Sequence, residues 1–178
     1  MIKKIFLPIL TVIALFGLSA CNSAESSDKP VKTVDLSIDD SRRCHQCGMM
    51  ITKYPGPKGV ITINGQDETL AFCSSRDMFQ FALQPQNQRQ IETMHVHDMG
   101  KTEWSKPDDK AFIDASSAVY VYGTTAKAVM GPAVVPFSSK EAAEEHIAMF
   151  GGKLYSFKEI TLDLLEKGAM GGGHHHKH

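Results

Sequence analysis

Seven consecutive residues, 44–50, hold five side chains that bind metal ions. They are Cys44, His45, Cys47, Met49 and Met50, which provide two thiols, an imidazole and two thioethers. Soft sulfur ligands select Cu(I), zinc or iron–sulfur clusters over Mg²⁺ and Ca²⁺. Because zinc is usually held by Cys, His and carboxylate groups rather than by Met, the thioethers make Cu(I) the first candidate.

The Cys44-x-x-Cys47 spacing alone leaves three chemistries open: a redox disulfide, half of a zinc knuckle, or part of a copper site. A thioredoxin-type motif begins a helix, whose N-terminus lowers a thiol pKa. The breakers Pro55-Gly56-Pro57 instead predict a loop or short strand after the motif, which disfavours an oxidoreductase. Zinc gains support from Cys73 and from Asp77, which stands where a fourth cysteine completes a YHS- or TRASH-like module. The same Asp77 is also explained as a helix-capping acid.

Other candidate ligands lie farther along the chain. Met130 is on a Gly-Pro loop ahead of a predicted strand at 133–137, where its side chain is free to face a ligand; the alternative is an apolar gap-filler. His95 and His97 share one face of a predicted strand, a geometry that suits a metal, but surface exposure is the favoured interpretation. His146 is predicted to be solvated on a charged helix.

The N-terminus predicts export and a lipid anchor. Residues 1–20 combine a short basic region with an apolar stretch too short for a membrane span, which is typical of a secretory signal. The ending Leu18-Ser19-Ala20 before Cys21 resembles the lipobox of bacterial lipoproteins. This resemblance implies cleavage before Cys21 and acylation of its thiol, for example with palmitate, whereas the alternative is an ordinary secreted protein. Asn22 favours the outer membrane over the inner membrane.

Export changes the cysteine and charge counts that bear on function. With Cys21 acylated, Cys44, Cys47 and Cys73 remain, and an odd number in an oxidising compartment leaves at least one thiol free, metal-bound or joined to another molecule. Loss of the two signal lysines leaves 17 basic and 20 acidic residues, and no basic run remains to follow a nucleic-acid backbone. No Ser/His/Asp array, paired-carboxylate site or phosphate-binding glycine loop is present, so no enzyme activity is predicted.

Strand and helix signals alternate in a pattern that occurs twice. The run 60–63 precedes Asn64-Gly65, a strong hairpin signal, and capping boxes at 74–77 and 138–141 predict helix starts. The fold class is therefore α+β: two homologous ββαβ units forming one compact two-domain body, with a C-terminal helix and flexible ends. The predicted strands are 60–63, 68–73, 91–99, 118–122, 133–137 and 153–155, and the predicted helices are 77–83, 138–150 and 157–167.

Several motifs together resemble the NosL family of accessory lipoproteins for nitrous-oxide reductase maturation. They are Cys47-Gly48-Met49-Met50-Ile51, Glu103-Trp104, Asp114-Ala115, Val129-Met130-Gly131 and Phe137-Ser138-Ser139-Lys140-Glu141. The resemblance spans about residues 44–165. It implies two ββαβ domains that bind Cu(I) and help deliver it to the copper–sulfide centre of the reductase during denitrification. The partners it implies are a membrane ABC transporter with its periplasmic subunit, and the reductase as an indirect recipient.

The resemblance also implies a ligand set. Cys47 and Met130 are the first-choice Cu(I) ligands, Met49 is the third, and Cys44 is a further candidate. Cys44 and Cys73 depart from the family pattern: they form a disulfide, join the copper site, or make it more zinc-like.

The predicted function is a periplasmic, lipid-anchored Cu(I) metallochaperone. Two alternatives stay open: an interaction module stabilised by zinc or a disulfide, and a thiol oxidoreductase. The histidines near the C-terminus predict a metal-scavenging tail, with an affinity tag as the alternative. The predicted organisation is a signal peptide at 1–20, a lipidated tether at 21–43, a first domain at 44–104, a second domain at 105–167 and a His-rich tail at 168–178.

Overall fold

A computed structural model of the chain describes residues 34–170. The predicted signal peptide, the lipid-bearing Cys21 and most of the predicted His-rich tail lie outside the described residues. Within 34–170, two antiparallel sheets each carry a strand–strand–helix–strand unit, which confirms the predicted α+β class with its repeated ββαβ plan.

The first sheet has four strands in the order β2-β1-β3-β4, and every neighbouring pair is antiparallel. Its elements along the chain are β1 (Gly59–Ile63), β2 (Leu70–Phe72), helix α1 (Ser75–Ala82), helix α2 (Pro85–Gln88), β3 (Ile91–His97) and β4 (Phe112–Asp114). A hairpin joins β1 to β2, but not through the predicted two-residue loop: Asn64 and Gly65, the latter with a φ of 75°, form a turn closed by Gln66 N–H on the Ile63 carbonyl, and six residues, 64–69, separate the strands. The register places Gly59 opposite Phe72.

The second sheet has three strands in the order β6-β5-β7. Its elements are β5 (Val119–Tyr122), β6 (Val134–Phe137), helix α3 (Lys140–Phe150) and β7 (Lys153–Ser156), and helix α4 (Leu162–Met170) follows. Both sheets belong to one compact unit of the chain.

Apolar packing joins the two sheets. The largest buried cluster takes residues from both units, and within it the ring of Phe79 in α1 packs edge-on against Tyr120 in β5 at a centroid distance of 5.2 Å. Ile160 and Leu165, from the C-terminal segment, are buried in the same cluster. Helix α1 therefore packs against residues of both units, and Asp77, one of the candidate ligands, lies in its first turn.

Four further sequence predictions about elements need correction. β3 ends at His97 and not at residue 99. Helix α3 takes Ser139 as its N-cap and not Ser138, since the Ser139 side chain accepts the bond from Ala142 N–H. The predicted helix at 157–167 is a 3₁₀ turn followed by α4. β4 was not predicted, and because it pairs with β3, the first sheet extends past the predicted domain boundary at residue 104.

Among residues 34–170, no helix is long and apolar enough to cross a membrane.

Candidate metal centre

A tight turn before β1 positions the first two cysteines. Cys44 N–H donates to the Met49 carbonyl and Gly48 N–H donates to the Cys44 carbonyl, each at 2.8 Å. Gly48 has a φ of 73°, a left-handed conformation that favours glycine. His45 N–H donates to the Ala71 carbonyl at 2.8 Å and so fixes the turn against β2. The predicted loop is confirmed, and Gly48 is the residue that lets it close.

The junction between β2 and α1 positions the other two ligands. Cys73 directly follows β2, and Ser74 is the N-cap of α1, accepting the Asp77 N–H at 3.0 Å. The Cys73 thiol donates to the Asp77 carboxylate at 3.1 Å between Sγ and Oδ2. Asp77 therefore does more than the capping role suggested by its sequence position, because its carboxylate faces a cysteine.

These two segments form a cluster of three thiols and one carboxylate. The ligand atoms of Cys44, Cys47, Cys73 and Asp77 all lie within 4.8 Å of one another, and the Cys47 and Cys73 sulfurs are 3.6 Å apart. The three cysteines are free thiols. A tetrahedral ion with metal–sulfur bonds of about 2.3 Å requires sulfurs about 3.8 Å apart. The Cys47–Cys73 pair has about this spacing, and the remaining ligand atoms, all within 4.8 Å of one another, need to move by about 1 Å at most to enclose an ion.

Exposure differs within the cluster. Cys44, Cys73 and Asp77 are 3%, 0% and 2% exposed, whereas Cys47 is only half-buried. An ion therefore reaches the cluster from the side of Cys47, and the other three residues lie deeper in the protein.

Hydrogen bonding and burial divide the negative charge unevenly among the thiols. The side-chain bond between Cys44 and Cys73 holds the pKa of Cys44 well below its usual value. That same bond, followed by burial and by Asp77, raises the pKa of Cys73, and burial raises the pKa of Cys47. Burial likewise raises the pKa of Asp77. These opposite shifts in pKa favour negative charge on Cys44 over Cys47 and Cys73.

The two predicted thioether ligands belong to two different loops. Met49 is half-buried and packs against the main core, next to Cys47 in its turn. Met130 is 47% exposed on the loop before β6, and its carbonyl accepts a hydrogen bond from the Arg76 guanidinium at 2.7 Å. Of the predicted ligands, Cys44 and Cys47 therefore lie together in the structure, and Cys73 and Asp77 lie in the same cluster. The Met130 loop is bonded to α1 through Arg76. Met49 and Met130 stay predictions as ligands.

The backbone at Met130 is unusual. Its φ of 64° makes it the one residue other than glycine with a positive φ in the described part of the chain. A side chain longer than glycine costs about 1 kcal/mol or more in this conformation, and such strain often marks functional positions. Arg76 helps to hold the loop in this conformation through its bond to the Met130 carbonyl.

The prediction that His97 is exposed is wrong. Its ring is buried, stacks on Phe112 at 3.9 Å between centroids, and accepts the Lys58 N–H at Nδ1. Because Nδ1 is the acceptor, Nε2 carries the proton and points toward Asp109 Oδ1 at 3.4 Å. A metal-binding Nε2 needs the opposite tautomer, with Nδ1–H donating to an acceptor. The pair of His95 and His97 is therefore not a metal site.

The prediction that His146 is solvated is also wrong. His146 is buried on α3, with Nε2 3.1 Å from the Thr124 hydroxyl and with aromatic neighbours that include Trp104 and Phe150. The Trp104 indole N–H donates to the Lys127 carbonyl at 2.8 Å. The Trp104 ring packs against the smaller of the two hydrophobic clusters.

Comparisons with known proteins agree on one family. The family model described as NosL matches residues 35–165. The chain is 40% identical to a copper-binding lipoprotein NosL of Stutzerimonas stutzeri, over 94% of this chain and 88% of that protein. It is 33% identical to a copper-binding lipoprotein NosL of Achromobacter cycloclastes, over 86% and 79% of the two chains. A crystal structure of the copper chaperone NosL from Shewanella denitrificans superposes with a TM-score of 0.70 at 43% identity, covering 71% of this chain and 95% of that one.

Proposed function

Because the chain belongs to the NosL family, we propose that it is a Cu(I) metallochaperone, anchored in the periplasm by lipid on Cys21, that supplies copper for the copper–sulfide centre of nitrous-oxide reductase. The relatives that carry the names copper-binding lipoprotein and copper chaperone support binding and transfer of copper rather than catalysis. Copper is then the cargo of the protein. The maturation complex with its ABC transporter remains the proposed partner.

The observation that carries this proposal is the cluster of three free thiols in one pocket. Cu(I) is a soft ion that binds thiolate strongly at low coordination numbers, and three sulfurs within 4.8 Å meet that preference. The predicted thioethers of Met49 and Met130 add soft ligands without adding negative charge. Such ligands help the ion to remain exchangeable, which a carrier requires.

The order of loading follows from exposure. Cu(I) first meets Cys47, the half-buried thiol, and then exchanges onto Cys44 and Cys73 below it. Cys44 already favours the thiolate form, so it is the strongest nucleophile for the incoming ion. Release runs in reverse, with a partner's ligand attacking the ion on the Cys47 side. A protein-to-protein transfer of this kind keeps Cu(I) coordinated at every step.

One observation favours a second candidate, a zinc-stabilised interaction module. Asp77 adds a carboxylate oxygen to the three thiols, and a four-ligand set of sulfur and oxygen suits Zn²⁺ better than Cu(I). The oxidoreductase alternative finds less support, because Cys44 and Cys47 lie on a turn followed by a 3₁₀ helix of three residues and not at the start of an α-helix.

Competition with a chromophoric Cu(I) chelator tests the proposal on the full-length, reduced protein. The wild type should bind one Cu(I) tightly, and excess Zn²⁺ should not displace it. Cys47→Ser combined with Met130→Leu should abolish tight binding while the circular dichroism spectrum stays unchanged. Imidazoles of the C-terminal tail bind this soft ion more weakly than thiolates, so a strong chelator removes their contribution.

Sulfur ligation provides an independent readout. X-ray absorption of the Cu(I)-loaded protein should show sulfur neighbours that decrease in number in the variant. Tight Cu(I) binding that survives both substitutions contradicts the proposed ligand set. A requirement of zinc for folding, measured by unfolding after chelation, establishes the interaction module instead.

A further inference from the structure

Trp104 contacts both the segment that follows the cysteine turn and the loop that carries Met130. On the first side, Gly56 N–H donates to the Trp104 carbonyl at 2.7 Å. On the second side, the indole N–H donates to the Lys127 carbonyl at 2.8 Å. A Cβ atom added to Gly56 would lie 3.2 Å from the Ala128 methyl and 3.4 Å from indole Cζ2, so this glycine packs between the loop and the ring. The two segments therefore meet at Trp104.

The bond to Lys127 restrains the part of the loop that carries Met130. Met130 is three residues after Lys127, and an extended chain covers at most about 3.6 Å per residue, so the Met130 backbone stays within about 11 Å of this bond. Between them, Val129 packs against the main hydrophobic cluster. The Met130 carbonyl then accepts the bond from Arg76. The loop at 123–133, which joins β5 to β6, is thus held on both sides of Val129.

The bonds at the start of this loop have a different origin. Thr125 N–H donates to the Phe150 carbonyl at 2.8 Å, and the Thr124 hydroxyl is 3.1 Å from Nε2 of His146. Both partners belong to α3, which is part of the second unit. Trp104 instead lies between β3 and β4, the neighbouring strands of the first sheet. Its bond therefore relates the loop to the unit that carries the cysteines.

We propose that Trp104 is a positioning residue of the copper site, which holds the loop at 123–133 so that the Met130 thioether faces the cysteines. This inference rests on the proposed function, since it takes Met130 to be the Cu(I) ligand from the second unit. A neutral thioether attracts the ion less than a thiolate does, so its contribution depends on its being in place beforehand. A loop that is already held loses less conformational freedom when the ion binds. Trp104 raises the affinity in this way without touching the ion.

A purely structural role for Trp104 is the competing explanation. Its ring packs against the smaller hydrophobic cluster and stacks on His146 at 6.0 Å between centroids, so its removal also weakens the second unit. Two substitutions divide the contacts: Trp104→Phe keeps an aromatic ring without the N–H donor, and Trp104→Leu removes both. Leu154→Ala is the matched control, because Leu154 in β7 packs against the same cluster.

The experiment is a Cu(I) titration of each reduced, full-length protein against a chromophoric chelator, in the wild-type and Met130→Leu backgrounds. Trp104→Leu should weaken binding by at least about tenfold, the lower end of what residues that orient a metal ligand contribute. Trp104→Phe should weaken it by about three- to tenfold, the equivalent of one neutral hydrogen bond. Leu154→Ala should leave the affinity unchanged. In Met130→Leu, neither Trp104 substitution should have a further effect, because the ligand that it positions is gone.

Three results overturn the inference: wild-type affinity in Trp104→Leu, a loss that persists undiminished in Met130→Leu, or an equal loss in Leu154→Ala. Far-UV circular dichroism checks that each variant folds. Where Trp104→Leu does not fold, Trp104→Phe carries the same test. X-ray absorption adds a readout that a structural role does not change. Cu(I)-loaded Trp104→Leu should show fewer sulfur neighbours than the wild type, as Met130→Leu does, whereas Leu154→Ala keeps the wild-type number.

Failure of this inference is distinguishable from failure of the proposed function. If Met130→Leu alone binds Cu(I) as tightly as the wild type, Met130 is not a ligand and the proposed ligand set fails. If Met130→Leu weakens binding while both Trp104 substitutions leave it unchanged, the ligand set stands and only the role of Trp104 is wrong.

Discussion

Arg76 ties three parts of the fold together, and replacing it by Met tests how the Met130 loop is held. Its side chain is 7% exposed in α1. The guanidinium donates to the Met130 carbonyl at 2.7 Å and to the Leu165 carbonyl at 3.1 Å. One residue thus binds the helix that carries Asp77 to the loop before β6 and to α4. We expect Arg76→Met to loosen both connections at once.

The size of the effect follows from these contacts. Hydrogen bonds from a charged donor contribute about 1.5–3 kcal/mol each, so losing two lowers the free energy of unfolding by about 3–6 kcal/mol. The guanidinium Nε is buried with no hydrogen-bond partner in the described structure. Relief of that desolvation returns about 1–3 kcal/mol. The expected net loss for Arg76→Met is about 2–3 kcal/mol.

Urea denaturation of the full-length apo protein measures this loss, followed by the fluorescence of Trp104, the single tryptophan of the chain. With a slope of about 2 kcal/mol/M, the middle of the usual range for urea, the midpoint should fall by about 1–1.5 M. Arg89→Met is the control, since Arg89 is exposed at the end of α2, and it should change stability by less than about 0.5 kcal/mol. Equal midpoints for Arg76→Met and the wild type would refute the role given to these two bonds.

A double-mutant cycle connects the same residue to copper. If Arg76 acts on the site by holding the Met130 loop, Arg76→Met weakens Cu(I) binding in the wild-type background and has no further effect in Met130→Leu. Additive losses in the double variant contradict this coupling. They show that Arg76 acts on the cluster by another route, such as its neighbour Asp77.

Two further predictions concern carboxylates. Asp77→Asn should lower the affinity for Zn²⁺ by at least about tenfold, because the loss of even a partner that only orients a ligand costs about that much. The affinity for Cu(I) should change little, because Cu(I) prefers sulfur. Equal Zn²⁺ affinities for the variant and the wild type exclude Asp77 as a ligand. Burial raises the pKa of Asp98, but bonds from Ser138, Lys101 and Gly100 outweigh it and hold the pKa below its usual value. This carboxylate therefore stabilises the fold above its unfolded pKa, and the contribution is lost as pH falls through the lower folded value. Thermal melts of the wild type and Asp98→Asn should differ at pH 7, and the difference should shrink as the pH falls below the unfolded carboxyl pKa of about 3.9. A difference that stays constant over this range contradicts the assignment.

Local signals in the sequence predicted most of the elements well. The turn at Asn64-Gly65 and the Ser74 cap of α1 follow from turn and capping chemistry that acts within four residues, whereas the six-residue length of the loop between β1 and β2 does not. β4 escaped prediction because its three residues form a strand only by pairing with β3, which is about 15 residues earlier in the chain. The Ser139 cap differs from the predicted one because two consecutive serines offer equivalent hydroxyls. Only the packing of α3 chooses between them.

The metal centre was half visible in the sequence. Cys44 and Cys47 are recognisable as candidate ligands by their Cys-x-x-Cys spacing. Cys73 and Asp77 carry a weaker signal: they are four residues apart across the start of α1, a spacing that brings two side chains to the same side of a helix. The burial of Lys58 and His97 carries no local signal at all. Both are buried because β1 and β3 pair beside the site, with Lys58 N–H donating to His97 Nδ1 at 3.1 Å.

The arrangement of the cluster suits a carrier better than a permanent metal site. In a structural zinc site all four ligands are closed off from solvent, so the metal ion exchanges slowly. Here Cys44, Cys73 and Asp77 are almost fully buried, but Cys47 reaches the surface beside Met49, and the exposed Met130 is on a loop bonded to α1 through its carbonyl. A more exposed thiol above two buried thiols allows a partner to replace the outer ligand first. We therefore expect both Cys44→Ser and Cys47→Ser to weaken equilibrium binding of Cu(I), and Cys47→Ser alone to slow the exchange of Cu(I) with a competing chelator as well.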